Sequence, residues 1–213
     1  MTDLTTAHLI GMMNAISAAI TAGRDELNRL DSALGDGDHG TSLSVAFADA
    51  VAKINALEQP TPTIVLQTVA QSLMNRMGGA SGALYGTLFL RAGMTVKDKT
   101  ALAHDDLKTM WQAALEGVIA RGKAAPGDKT MVDAIQPAVS AFAEAPMLAE
   151  AFARAAEAAA QGAQNTARMV AQHGRAKFAG ERAVGHVDAG ARSVALMFAA
   201  IDVYWKENQH GEA

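Results

Sequence analysis

Along most of the chain apolar residues recur at three- and four-residue spacing, as in "LIGMMNAISAAI" and "LQTVAQSLMNRM", with polar residues in between. That is the period at which an α-helix returns to the same face, so each stretch predicts a helix with one side turned to a core. Clusters of Gly, Pro and Asp interrupt the pattern and set the boundaries. The predicted helices span 5–29, 40–57, 63–76, 81–94, 104–121, 129–143, 147–173 and 190–206. Connections are short, so successive helices should run antiparallel as in a bundle. "EQPTPT" at 58–63 is a turn whose prolines end one helix before the next begins. No Ser/Gly/Pro-rich linker and no internal repeat divides the chain, which predicts one all-α domain over 1–213.

Composition agrees with the periodicity. Hydrophobic residues make up 50% of the chain and aromatic residues only 5%, with alanine heavily used, a balance that suits close helix packing better than a β-rich core. A net charge of -4 and the absence of a basic run argue against a nucleic-acid partner. With no cysteine, disulfides, thiolate nucleophiles and zinc-thiolate sites are excluded together, so any metal must use oxygen or imidazole ligands. The N-terminus lacks the basic region and cleavage site of a signal peptide, and no uncharged apolar run reaches the ~20 residues that span a bilayer. The expectation is a cytoplasmic protein with no membrane partner.

Glycine falls where chemistry is possible. "LGDGDHGT", "MGGASGALYGT", "RGKAAPGDKT" and "HGRAKFAGERAVGHVDAG" all lie between predicted helices, more polar glycine-bearing loops than turning requires. The string "GDGDHG" at 35–40 fits G-x-G-x-x-G, yet "DELNRLDSAL" before it is polar and helical rather than a strand. Asp36 and Asp38 would also repel a diphosphate unless a cation lay between them. A divalent cation fits, because Asp31, Asp36 and Asp38 place three carboxylates within eight residues and hard oxygen ligands favour Mg²⁺. An EF-hand counted from Asp36 would have Gly40, Thr41 and Phe47 at its fifth, sixth and twelfth positions, which removes ligands and the turn glycine. The plainer alternative makes Asp38 the cap of the helix starting near Gly40, and His39 a ligand, a phosphate donor or a loop residue.

The other loops point to an anion. In "GGASG" at 78–82 the amides of Ala80 and Ser81 can face an anion from a helix N-terminus, the alternative being a glycine stop followed by Ser81 as N-cap. "GVIARGKA" from Gly117 has Walker A spacing but ends in Ala124 and follows a helix, so it is not a P-loop. "PGDKT" sets Asp128, Lys129 and Thr130 at a helix start, as ligands or as turn and cap. The last loop holds His173, Arg175, Lys177, Arg182 and His186 within fourteen residues, together with Asp188. These cations suit an anionic ligand or a solvated surface. Taken together, carboxylates for a metal, glycine loops for phosphates and an arginine for outer charge describe phosphoryl-transfer equipment without a P-loop.

These loops in this order resemble the nucleotide-binding L subunit of dihydroxyacetone kinases. The most specific pieces are "GDGDHG", "GGASGALYGT", "RGKAAPGDKTMVDA" and "GRAKFAGERAVGHVDAGA". The resemblance implies an eight-helix antiparallel barrel with the nucleotide at one end and two Mg²⁺ ions on Asp31, Asp36 and Asp38. It implies ADP or ATP contacts at His39, Gly40, Thr41, Ser42, Ala80, Ser81, Gly122, Met131, Arg175, Asp188, Ala189 and Gly190, with Asp36, Asp38 and Arg175 serving catalysis. Ala189 stands where relatives carry proline, which loosens that turn. The resemblance further implies a small ketose such as dihydroxyacetone held covalently on a separate K-type subunit. The phosphoryl donor would be free ATP or, through resident ADP, an M-type phosphotransferase-system protein. A nucleotide-dependent protein that controls a transcription regulator is the other function it allows.

Overall fold

The computed structural model describes residues 3–208, so both ends of the predicted 1–213 domain lie outside the described residues. Nine α-helices occupy most of them: α1 Thr6–Ala22, α2 Arg24–Ser32, α3 His39–Asn55, α4 Pro62–Arg76, α5 Gly79–Thr95, α6 His104–Gly122, α7 Val132–Glu144, α8 Leu148–Asn165 and α9 Ala189–Asn208. Local chemistry starts several of them. Thr5 and His8 form a reciprocal capping pair at the head of α1, and Thr61 caps α4 with Pro62 in its first turn.

Eight of the helices close a ring. α1 packs on α3, each helix from α3 to α9 packs on the next, and α9 returns to α1. This is the expected eight-helix antiparallel barrel, with the short α2 added across one end against α3 and α9. The connections after α2, α4, α6 and α8 all emerge at that end. At the opposite end β1, Leu4–Thr5, pairs antiparallel with β2, Ala101–Leu102. No described helix is long and apolar enough to cross a membrane.

Two predicted helices are corrected. The one expected over 5–29 breaks at Gly23, where ψ near 0° interrupts the hydrogen-bond ladder and swings α2 toward α9. Arg192 then grips both carboxylate oxygens of Glu26, at 2.8 and 3.1 Å, and holds α2 there. The helix expected over 147–173 ends at Asn165, because the Thr166 carbonyl accepts from the Lys129 ammonium and the Thr166 hydroxyl accepts the Asp188 N–H, which turn the chain out of the helical ladder. Residues Thr166–Arg168 and Arg175–Ala183 form 3₁₀ turns.

The interior is lined by alanine and medium aliphatic side chains, which bring the helix axes close, and a run of aromatic rings lies at the β1–β2 end. There His104, Phe142, Phe152, Trp205 and His8 follow one another with ring centroids 5.3 to 5.5 Å apart, largely edge to face. Trp111 packs on Phe198 at 4.8 Å. Phe142 is fully buried in this chain of rings. Truncation to alanine should therefore lower unfolding free energy by about 3–5 kcal/mol in urea titrations, and a loss below ~1 kcal/mol would contradict the packing described.

Candidate functional site

The loop between α2 and α3 is built around one side chain. Asp31, in the last turn of α2, accepts at Oδ2 the backbone N–H groups of Gly37 at 2.8 Å, Asp38 at 3.0 Å and His39 at 3.3 Å. Gly37 has φ 79°, a left-handed conformation that glycine adopts without steric cost, and it turns the chain so that these amides converge. Asn28, one turn earlier on the same face of α2, accepts the Thr41 N–H at 3.0 Å and donates to the Thr41 hydroxyl at 2.8 Å. α2 thus caps α3. The alternative in which Asp38 caps that helix is corrected, because its side chain makes no capping bond. Gly40 is needed for the close approach, since a Cβ would run into the backbone carbonyl of Arg24.

With its loop fixed, the acidic cluster forms. Asp31, Asp36 and Asp38 each offer a carboxylate oxygen, all within 4.8 Å of one another. Three carboxylates in this arrangement form an all-oxygen donor set that fits a hard divalent ion. Arg175, from the α8–α9 segment, already places a cation there by an ion pair with Asp36. That guanidinium holds the Asp36 carboxyl below its ordinary pKa.

His39 does not face the cluster. It is buried, with Nε2 3.0 Å from the Ser193 hydroxyl, which lies 2.5 Å from the Tyr85 hydroxyl; Tyr85 in turn donates to the Gly190 carbonyl at 3.1 Å. Burial pulls the His39 imidazole below its usual pKa against the pull of Asp31 and Asp38, so it is neutral at physiological pH. His39 therefore joins α3 to α5 and α9 beneath the site. Ser42 is half-buried and Thr41 exposed in the same first turn of α3.

At the α5 end the helix begins at Gly79, and no side chain caps it. Ser81 lies inside the first turn, which corrects the reading of Ser81 as N-cap. Ala80 is exposed and Ser81 half-buried, leaving this helix terminus with positive partial charge directed at solvent.

The remaining candidates join through the loop between α6 and α7. Gly122 ends α6 against Leu84 of α5, and Met131 is buried beside Gly190. Asp133 ties this loop by accepting from Gly127 N at 2.5 Å and Thr130 N at 2.8 Å. Asp188 accepts from Ala191 N at 2.8 Å and so caps α9, with Ala189 buried as its first residue. Burial pushes the Asp188 carboxyl up to about 6, with Asp133 and Asp31 adding to the rise and the Ala191 N–H and Lys129 opposing it.

An all-helical barrel whose loops gather carboxylates, an exposed arginine and an uncapped helix start at one end defines a helical domain with the donor groups for a metal-associated anion. Residues 33–202 match the family model described as the DAK2 domain, and the chain belongs to that family. It is 34% identical over 212 residues to the ADP-binding subunit of the PEP-dependent dihydroxyacetone kinase of Escherichia coli, covering 96% of this chain and 100% of that one. The corresponding subunit of a second such kinase, from Listeria innocua, is 39% identical over 187 residues, covering 85% and 87%. Among solved structures, the dihydroxyacetone kinase of C. freundii in complex with AMP-PNP and Mg²⁺ superposes with a TM-score of 0.73 at 27% identity. That alignment covers 95% of this chain and 35% of the kinase chain, so this chain spans about a third of that protein.

The pKa of Asp188 yields a sign. A carboxyl raised from 3.8 to about 6 stabilises the fold below the unfolded value and loses that contribution as pH rises through the folded one. Asn keeps the acceptor for the Ala191 N–H and cannot ionise. In metal-free protein, Asp188→Asn should gain on the order of 1–3 kcal/mol relative to wild type between pH ~4 and ~7. Parallel pH dependences in urea unfolding would refute the burial of this charge.

Proposed function

We propose that this chain is the nucleotide-carrying subunit of a dihydroxyacetone-type kinase, a single domain over 1–213 working in the cytoplasm. The observation that carries this reading is the convergence of Asp31, Asp36 and Asp38 within 4.8 Å, joined by Arg175, at the loop end of the barrel. The names of the two subunit relatives and the nucleotide complex of the C. freundii kinase support it.

In this reading Asp31, Asp36 and Asp38 hold two Mg²⁺ ions, which when bound supply the positive charge that neutralises and orients a polyphosphate. The amides of Ala80 and Ser81 at the uncapped start of α5 receive phosphate oxygens. The first turn of α3, His39 to Ser42, contributes its remaining polar groups. Gly122, Met131 and the segment Asp188 to Gly190 line the rest of the nucleotide. Arg175, exchanging Asp36 for the nucleotide, stabilises charge on the transferring group. The chain contributes positioning and charge neutralisation rather than a covalent intermediate.

The acceptor is a small ketose such as dihydroxyacetone, mounted on a separate K-type subunit. The donor is an M-type phosphotransferase-system protein that recharges resident ADP, a choice supported by the PEP-dependent, ADP-binding description of both subunit relatives.

Protein purified without added nucleotide and denatured with acid should release near-stoichiometric ADP and magnesium. An empty protein that binds Mg-ATP reversibly would make free ATP the donor, and one that binds neither would defeat the nucleotide reading. In the complex reconstituted with a K-type subunit, Asp36→Asn should lower turnover by at least about a hundredfold with an unchanged circular-dichroism spectrum. Near-normal turnover would remove Asp36 from the site. Retained nucleotide binding without kinase support from any K-type subunit would favour the regulatory function instead.

A further inference from the structure

Lys129 is among the largest fully buried side chains of the protein, at 1% exposure, and it belongs to none of the groups assigned above. Its backbone has φ 61°, a left-handed conformation in which glycine would be unstrained and a long side chain is rare. A residue that is disfavoured by its backbone and costly to bury must be retained for what its side chain does. The ammonium donates to the carbonyl of Thr166 at 2.6 Å and to the carbonyl of His186.

Those two carbonyls stand at the two ends of one loop. Between Asn165, the last residue of α8, and Ala189, the first of α9, the chain contains no α-helix, and it carries Arg175. A second bond closes the same base, since Thr166 Oγ1 accepts the Asp188 N–H at 2.9 Å. Asp188 and Asp133 lie close enough to act on the ammonium by charge, opposing the burial that lowers its pKa.

We propose that Lys129 is a positioning residue that cinches the 166–188 loop at its base and thereby sets Arg175 and Asp188 for the nucleotide. A loop this long, held internally only by two short 3₁₀ segments, has many conformations, and fixing both ends on one ammonium removes most of them. The tip stays free to move Arg175 between Asp36 and a phosphate while the base stays fixed. This rests on the nucleotide reading only for its consequence; the cinch itself is a property of the loop.

The test uses Lys129→Met, which keeps the apolar stem without the charge, and Lys129→Gly, which also relieves the left-handed backbone. Brief trypsin exposure of the nucleotide-free proteins reads the loop at Arg168, Arg175, Lys177 and Arg182, with Lys53 and Lys97 as sites outside it. Both variants should be cut about tenfold faster within the loop and at the wild-type rate outside it. Affinity for ADP with Mg²⁺ should fall about tenfold. Because the chain has no cysteine, Lys129→Cys can be aminoethylated while unfolded and then refolded, which restores an ammonium and should restore protection. Wild-type loop protection in Lys129→Gly overturns the proposal, as does faster cleavage spread evenly over all sites. If wild-type protein binds no ADP while the loop contrast stands, the nucleotide reading fails and the cinch survives.

Discussion

One carboxylate oxygen organises the working end of this protein. Asp31 Oδ2 collects three successive backbone donors, and through them it fixes the direction of α3, the turn at Gly37 and the spacing of Asp36 and Asp38. Buried or half-buried amides of a helix start need acceptors, and in many helices the capping residue supplies them from its own chain segment. Here the acceptors come from the preceding helix, Asp31 and Asn28 together. The start of α3 and the acidic cluster therefore share one residue, Asp31.

Charge around this point is balanced by exchangeable partners. The Arg175–Asp36 pair is well exposed, so its net contribution to folding is small and its dissociation is cheap. Lys129 is the opposite case. It is sealed among backbone carbonyls near two carboxylates, where losing one partner leaves an uncompensated charge. The site thus combines a labile cation at the loop tip with a fixed one at the loop base.

The barrel was legible because helical periodicity is a local property, repeated in every segment. Gly23 escaped notice because an isolated glycine in an apolar pattern is usually tolerated within a helix. The stretch after Asn165 escaped because "TARMVAQ" keeps helical spacing, while the bonds that unravel it come from Lys129, far back in the chain. The acidic cluster was readable for the same reason as the helices, its members lying within eight residues. The inward turn of His39 toward Ser193, 154 residues away, depends on a contact that no local pattern carries, whereas the capping of α9 by Asp188 acts over a spacing of three and is a local signal. Asn28 could have been found, since it shares a helical face with Asp31 at a spacing of three.

Both tryptophans are buried, Trp205 between His8 and Phe152 at the β1–β2 end and Trp111 against Phe198 nearer the middle of the barrel. Neither indole belongs to the loops at the other end of the barrel. Tryptophan emission therefore reports first on the packing of the barrel interior, where both indoles are buried, rather than on the exposed loops.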